Sequence, residues 1–207
     1  MLLHRRALGW WILLLILASS PVARAQTHVL VDGDGFIWDV DDNNGSIISG
    51  SSDAFDEFGI LSIDGVEYHN STGGAALTTE AAGREVVFPQ VTMGDLRVSR
   101  KVHVSSTEPY CRMLEILTNT TAADVVASVS FGGTFGSGPT TAVQNSSNGN
   151  LVAEALDQWI VTDETAAGTT PAVGTLFRGL GPRMPSSLRW VDEVGPAPDH
   201  LVIDWGS

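Results

Sequence analysis

The residues best suited to chemistry lie in one acidic stretch. It begins Asp32-Gly33-Asp34-Gly35, continues through Asp39, Asp41, Asp42, Asn43, Asn44 and Gly45, and ends with Asp53 and Asp56. Calcium takes six to eight oxygen ligands, and closely spaced Asp and Asn in a glycine-containing loop supply several. Asp39, Asp41 and Asn43 match the first ligand positions of an EF-hand loop and are the candidate metal ligands. The match then fails, because Asn44 stands at the sharp-turn glycine and Gly50 at the bidentate glutamate. A generic calcium loop is the expectation left open. Its counterpart is a turn in which Asp and Asn bond their own backbone.

Other reactive side chains are scattered. His28, His69, His103 and His200 are far apart in sequence, and neither H-E-x-x-H nor C-x-x-C occurs, which argues against zinc. No serine sits in a G-x-S-x-G elbow. The single cysteine, Cys111, lies in an alternating run and reads as a buried or half-buried strand residue rather than a nucleophile, which would need a base beside it. Carboxylates are numerous enough to form a glycosidase pair, but only their spatial separation would identify one. Trp38 and Trp190 are the candidate ligand-binding aromatics, able to stack on a sugar ring. A core role is the competing reading for any Trp.

The N-terminus places this chemistry outside the cell. His4, Arg5 and Arg6 precede an apolar run over Leu8–Ala18, and Ala23-Arg24-Ala25 follows. Basic start, short apolar core and A-x-A site are the parts of a secretory signal peptide, residues 1–25, with cleavage before Gln26. The remainder, 26–207, is read as a single domain, either stand-alone or a fragment of a longer protein. The chain carries a formal net charge of −13, and loss of the leader takes Arg5, Arg6 and Arg24 with it. So acidic a surface repels phosphate backbones and anionic lipid, so neither nucleic acid nor membrane is an expected partner once the leader is gone. With one cysteine, no internal disulfide can form, although secretion would permit it. Sequons occur at Asn44, Asn70, Asn119 and Asn145.

The elements that must position these residues are strands. Beyond the leader no long segment repeats apolar residues with helical spacing; short period-two runs alternate with Gly, Asn, Asp, Ser and Pro. The clearest is Leu96–Val104, apolar at even positions except for Arg100, which is expected at a sheet edge or paired with a carboxylate. Arg112–Asn119 and Val125–Phe131 read as a hairpin. Phe58–Ile63 and Val66–His69 read as a second one, turning at Asp64-Gly65. Further strands are expected at 28–31, 36–40, 84–88, 159–162, 173–177 and 200–205, and Ala153–Ile160 fits a short helix or a strand. Gly132–Asn150 and Gly179–Pro198 read as long surface loops. Ten or more strands imply an all-β fold, a large two-sheet antiparallel β-sandwich.

Three segments, Ser51–Asp56, Val98–Val104 and Arg112–Thr121, resemble uncharacterised β-sandwich modules of large bacterial secreted and surface proteins. The resemblance covers roughly the mature chain. It implies an extracellular, non-catalytic module and carries over no catalytic residue. The functional expectation is a secreted binding or adhesion module at the cell surface or beyond, with an extracellular glycan or cell-surface component as partner and calcium as the one candidate cofactor. The alternatives are a polysaccharide-active enzyme with a carboxylate pair, and a structural spacer.

Overall fold

The computed structural model describes residues 27–70, 77–165, 168–177, 185–191 and 200–205, without the side chains of Pro139, Arg189, Trp190, Val191 and His200. The expected leader lies outside the described residues. The described strands are β1 (Thr27–Val31), β2 (Ile37–Asp41), β3 (Phe55–Ile63), β4 (Val66–Glu67), β5 (Thr78–Glu80), β6 (Glu85–Val87), β7 (Val91–Met93), β8 (Leu96–Val104), β9 (Cys111–Asn119), β10 (Val129–Phe135), β11 (Thr141–Ser146), β12 (Trp159–Glu164), β13 (Val173–Leu176), β14 (Ser187–Val191) and β15 (His200–Trp205). Their pairings are antiparallel, and the only helical pieces among the described residues are single 3-10 turns.

The fold is an all-β antiparallel sandwich. One sheet has the order β14-β15-β10-β3-β4, and the β1-β2 hairpin joins it through bridges from Val40 to Ile47 and from Ile47 to Phe58. The other carries β5, β6 and β7 along one side of β8, with β9 on its opposite side; β11-β12-β13 form a third, smaller sheet. Alternation decides which residues meet between the sheets. Leu96, Val98, Arg100, Val102 and Val104 of β8 are buried and face Phe55, Phe58, Leu61, Ile63, Phe135, Leu201 and Ile203 from the opposite sheet. In β3 the buried residues fall at 55, 58, 59, 61 and 63 rather than at every second position. Glu57, at φ 66°, and Gly59, at φ 98°, bend the strand so that both Phe55 and Phe58 turn inward.

The Asp64-Gly65 hairpin forms as read, with Ile63 opposite Val66 and positive φ at both turn residues (51° and 77°). Arg112–Asn119 and Val125–Phe131 do not pair. β9 lies along all nine residues of β8, and β10 crosses to the other sheet between β3 and β15. The apolar pattern is the same in both arrangements; the second lets each strand bury its inner face. Gly132–Asn150 is no loop, since it holds the end of β10 and all of β11. Gly132 is required there by close approach: a Cβ at this position would fall 1.9 Å from the Leu201 carbonyl oxygen. Gly179–Pro198 contains β14, and the rest of that span apart from Pro185 and Ser186 lies outside the described residues. Ala153–Ile160 is a turn leading into β12.

Arg100 is fully buried in central β8, not at an edge. It pairs with Glu115, its direct neighbour on β9, at 2.7 Å, and donates to the carbonyls of Asn44 and, at 2.8 Å, Gly59. Its guanidinium also lies 5.9 Å from the Tyr68 ring centre, whose hydroxyl donates to the Pro89 carbonyl at 2.8 Å.

Candidate functional site

The two sheets leave a cleft open beside β9. One cavity of about 420 Å³ is lined by Tyr110, Cys111, Arg112 and Met113 on one side and by Val173, Gly174, Thr175 and Leu176 on the other, against an aromatic wall that includes Trp38, Phe55, Phe58 and Phe131. A second, of about 320 Å³, continues it past Met113, Phe131, Thr175 and Leu176 to Glu115, Phe177 and Trp205. Successive residues of a strand point to opposite faces. Four consecutive residues of β13, and four running from Tyr110 into β9, can therefore line one cavity only if it meets the edges of those strands.

Local sequence fixes the aromatic wall. Asp32 makes an Asx turn, its Oδ1 accepting from the N–H of Asp34 (3.0 Å) and of Phe36 (2.9 Å). Its Oδ2 accepts from the Trp38 indole N–H at 3.0 Å. The indole is held between Phe36 and Phe55, at centroid distances of 4.8 and 5.8 Å. Sequence-predicted Trp38 thus stands in the cleft wall. Trp190 lies on β14 opposite Leu201, and its side chain is outside the described part.

Two titratable groups line the cleft from β9. Burial pushes the Cys111 thiol up to about 12, so its thiolate is scarcely populated. His103 offers it no base, because it projects from the opposite face of the sheet, across from Arg112. Burial also raises the Glu115 carboxyl above the ordinary carboxylate range, with the Arg100 charge and hydrogen bond pulling the other way. Glu115 Oε1 is bound to Arg100; its Oε2 is buried without a hydrogen-bond partner among the described residues.

The predicted metal ligands have separate partners. Asp39 accepts from the N–H groups of Ser49 (3.1 Å) and Gly50 (2.7 Å), which ties β2 to the loop before β3. Asp41 Oδ1 accepts from the Asn43 N–H at 2.5 Å, and Asn43 Nδ2 lies 3.1 Å from His69 Nδ1. Among the described residues no three His, Cys, Asp or Glu side chains are grouped to hold a metal ion. A further polar hollow of about 300 Å³ lies on the sheet containing β3 and β10, with Asp56, Glu57 and Glu67 among its lining residues. Among the described residues, no helix is long and apolar enough to cross a membrane.

Tyr110, Met113, Glu115, Val173 and Leu176 were not singled out from sequence as site residues. No sequence signal marked them: Leu114 and Ile116, which make β9 apolar on its second face, lie opposite Lys101 and Ser99, away from the cleft. Compared with known proteins, the chain matches no family model, no curated protein and no solved structure.

Proposed function

We propose that the chain is a secreted, non-catalytic binding module that takes its ligand in the cleft between β9 and β13. The observation that carries this is the cleft itself, two strand edges that no other described strand pairs, facing one another beside an aromatic wall. Ligand pockets are concave and mostly apolar, with a few polar groups to fix orientation, and Glu115 supplies such a group here. The leader-like N-terminus and the acidic surface support an extracellular setting. A glycan or another cell-surface component is the expected ligand, Trp38 offering an aromatic wall.

The test is retention of labelled mature protein on immobilised glycans and on intact cells, beside Leu176→Asp. Leu176 is 71% exposed, so the substitution puts a charge on the cleft lip without touching the core. Retention by the unmodified protein, reduced at least tenfold by Leu176→Asp, is expected. No retention, or equal retention of both, would overturn the reading.

The acidic hollow supports a second reading, an enzyme using a carboxylate pair from Asp56, Glu57 and Glu67. Release of reducing ends from polysaccharide, abolished by Asp56→Asn or Glu67→Gln, would establish it.

A further inference from the structure

The backbone of β9 defines what the cleft is shaped to take. In an antiparallel ladder each residue directs its N–H and C=O together to one neighbouring strand. Arg100 O accepts from Phe88 N, and Val104 N donates to Arg84 O, so both residues turn their backbone groups away from β9. Their partners Glu115 and Cys111 must then turn theirs away from β8. By alternation Cys111, Met113, Glu115 and Leu117 present their N–H and C=O groups along the outer edge of β9, where no described strand pairs with them. These residues also direct their side chains into the sandwich, and the first three line the cleft.

The opposite lip repeats the arrangement. Phe177 N donates to Gln158 O, which sets the parity of the β12–β13 ladder and leaves the backbone groups of Gly174 and Leu176 on the outer edge of β13. Exposed edges are ordinarily blunted by bulges, proline or charge. β9 has neither proline nor bulge and its register with β8 runs unbroken; its two charges, Arg112 and the inward Glu115, are held by Glu85 and Arg100.

We propose that the occupant of this cleft is an extended polypeptide segment of a partner protein, added as a strand to the edge of β9. Its alternate apolar side chains enter the cleft, and one Lys or Arg meets the free oxygen of Glu115. The proposal rests on the binding-module reading above and narrows it to one class of ligand. Edge addition supplies affinity through main-chain hydrogen bonds and specificity through pockets for every second side chain. Met113 and Glu115 are spaced to form such pockets. Charge complementarity selects the partner: Glu115 Oε2 is buried and unpaired among the described residues, and the whole chain carries −13, which steers a basic segment toward it.

The experiment selects a phage-displayed library of random nine-residue peptides on the secreted protein. Sequences with apolar residues at alternate positions and one Lys or Arg should be enriched. A synthetic peptide of the selected sequence should protect the amides of Met113, Glu115 and Leu117 from hydrogen exchange. Leu117→Pro removes one edge N–H and leaves the β8 ladder intact, and it should weaken the peptide at least tenfold. Glu115→Gln should weaken the basic peptides and spare versions carrying Thr at that position. Absence of enrichment, or bound peptide without protection of those amides, would overturn the proposal whatever the variants do. Light scattering reads the rival occupant: a dimer with the same amides protected before any peptide is added would assign the edge to a second copy. If glycans are retained and lost in Leu176→Asp while no peptide is selected, strand addition fails and the binding-module reading stands.

Discussion

Arg100 Nη2 lies 2.7 Å from Glu115 Oε1, the two residues facing each other on adjacent strands between the sheets. The pair joins the centre of one sheet to the wall of the cleft, since the same guanidinium donates to Gly59 O of the opposite sheet. Buried ion pairs seldom add net stability over apolar replacements, but removing one partner leaves the other desolvated and unpaired, at a cost of about 3–5 kcal/mol. Arg100→Met should fall in that range, since it also orphans the Asn44 and Gly59 carbonyls. Urea unfolding of the variant and the unmodified protein measures the difference. A loss under about 1 kcal/mol would mean that the pair is not holding the sheets together.

Glu115 also sets a pH dependence. Its carboxyl is raised by burial, against the pull of Arg100, so the folded state holds the proton more tightly than the unfolded chain. Stability from such a group is present in full below the unfolded pKa and is lost as pH rises through the folded value. Asp42 has the same sign, raised first by burial and also by Asp41, with His28 opposing. Glu115→Gln cannot ionise and escapes its share of that loss. Its melting temperature, relative to the unmodified protein, should rise from about pH 4 to about pH 7, the range above an ordinary carboxylate pKa. A difference that stays flat or falls would show the charged form to be the favoured one.

Gly132→Ala should be among the most damaging single-methyl changes in the chain. The new Cβ would sit 1.9 Å from Leu201 O, and the atom in its way is backbone on a strand already held by six register partners. Overpacking a core costs about 1–3 kcal/mol when side chains can give way, and more when they cannot. Gly174→Ala is the control, with no atom within 4 Å of its Cβ. Melting curves should separate the two clearly; equal midpoints would mean that β10 and β15 yield more easily than their register implies.

Period-two runs were enough to find β8 to the residue and to locate β1, β2, β6, β12, β13 and β15 within two residues of their ends, because a half-buried strand writes its burial into alternation. They could not choose partners. β9 beside β8 and β9 beside β10 bury the same side chains, so the error at Val125–Phe131 lay in topology and not in pattern. Glycine misled at 132–133, where it marks close approach of strands inside a sheet and reads in sequence as a loop. Arg100 was legible as a residue needing a carboxylate, but Glu115 was one of many candidates until the register placed it opposite. Trp38 was singled out as a candidate stacking aromatic and stands in the cleft wall; the strand edges across from it carried no mark in the sequence.

The four sequons differ in what the fold leaves available. Asn44 is 5% exposed and its Nδ2 donates to Glu57 Oε1 at 3.0 Å; Asn70 is 2% exposed and its Nδ2 donates to the Asp42 carbonyl at 3.2 Å. A glycan on either nitrogen would break a buried hydrogen bond and need room that neither site has. Asn119 and Asn145 are exposed. Secreted, folded protein from a glycosylating host should therefore carry glycans at Asn119 and Asn145 alone. Peptide mapping that finds occupied Asn44 or Asn70 in protein with an unchanged melting temperature would contradict the packing around them.

The carboxylates of Asp39 and Asp41 already have backbone partners. Asp39 accepts from two backbone N–H groups at the turn before β3, and Asp41 accepts from the N–H of Asn43 inside its own turn. Hydrogen bonds to a charged acceptor contribute about 1.5–3 kcal/mol, so Asp39→Ala should destabilise by roughly that amount. Asp39→Asn, which keeps an acceptor at the same place, should cost less. Neither effect needs an ion, and on this reading melting temperatures in calcium and in chelator coincide for all three proteins. Bound calcium gives a different pattern: at 100 times its dissociation constant it stabilises by about 2.7 kcal/mol through linkage. Asp39→Asn would then abolish the calcium-dependent gain, because a hard cation requires the carboxylate charge. Thermal melts of the three proteins, each with calcium and with chelator, separate the two cases. A calcium-dependent rise in the unmodified protein that disappears in Asp39→Asn would establish Asp39 as a ligand and displace the purely backbone role assigned to it here.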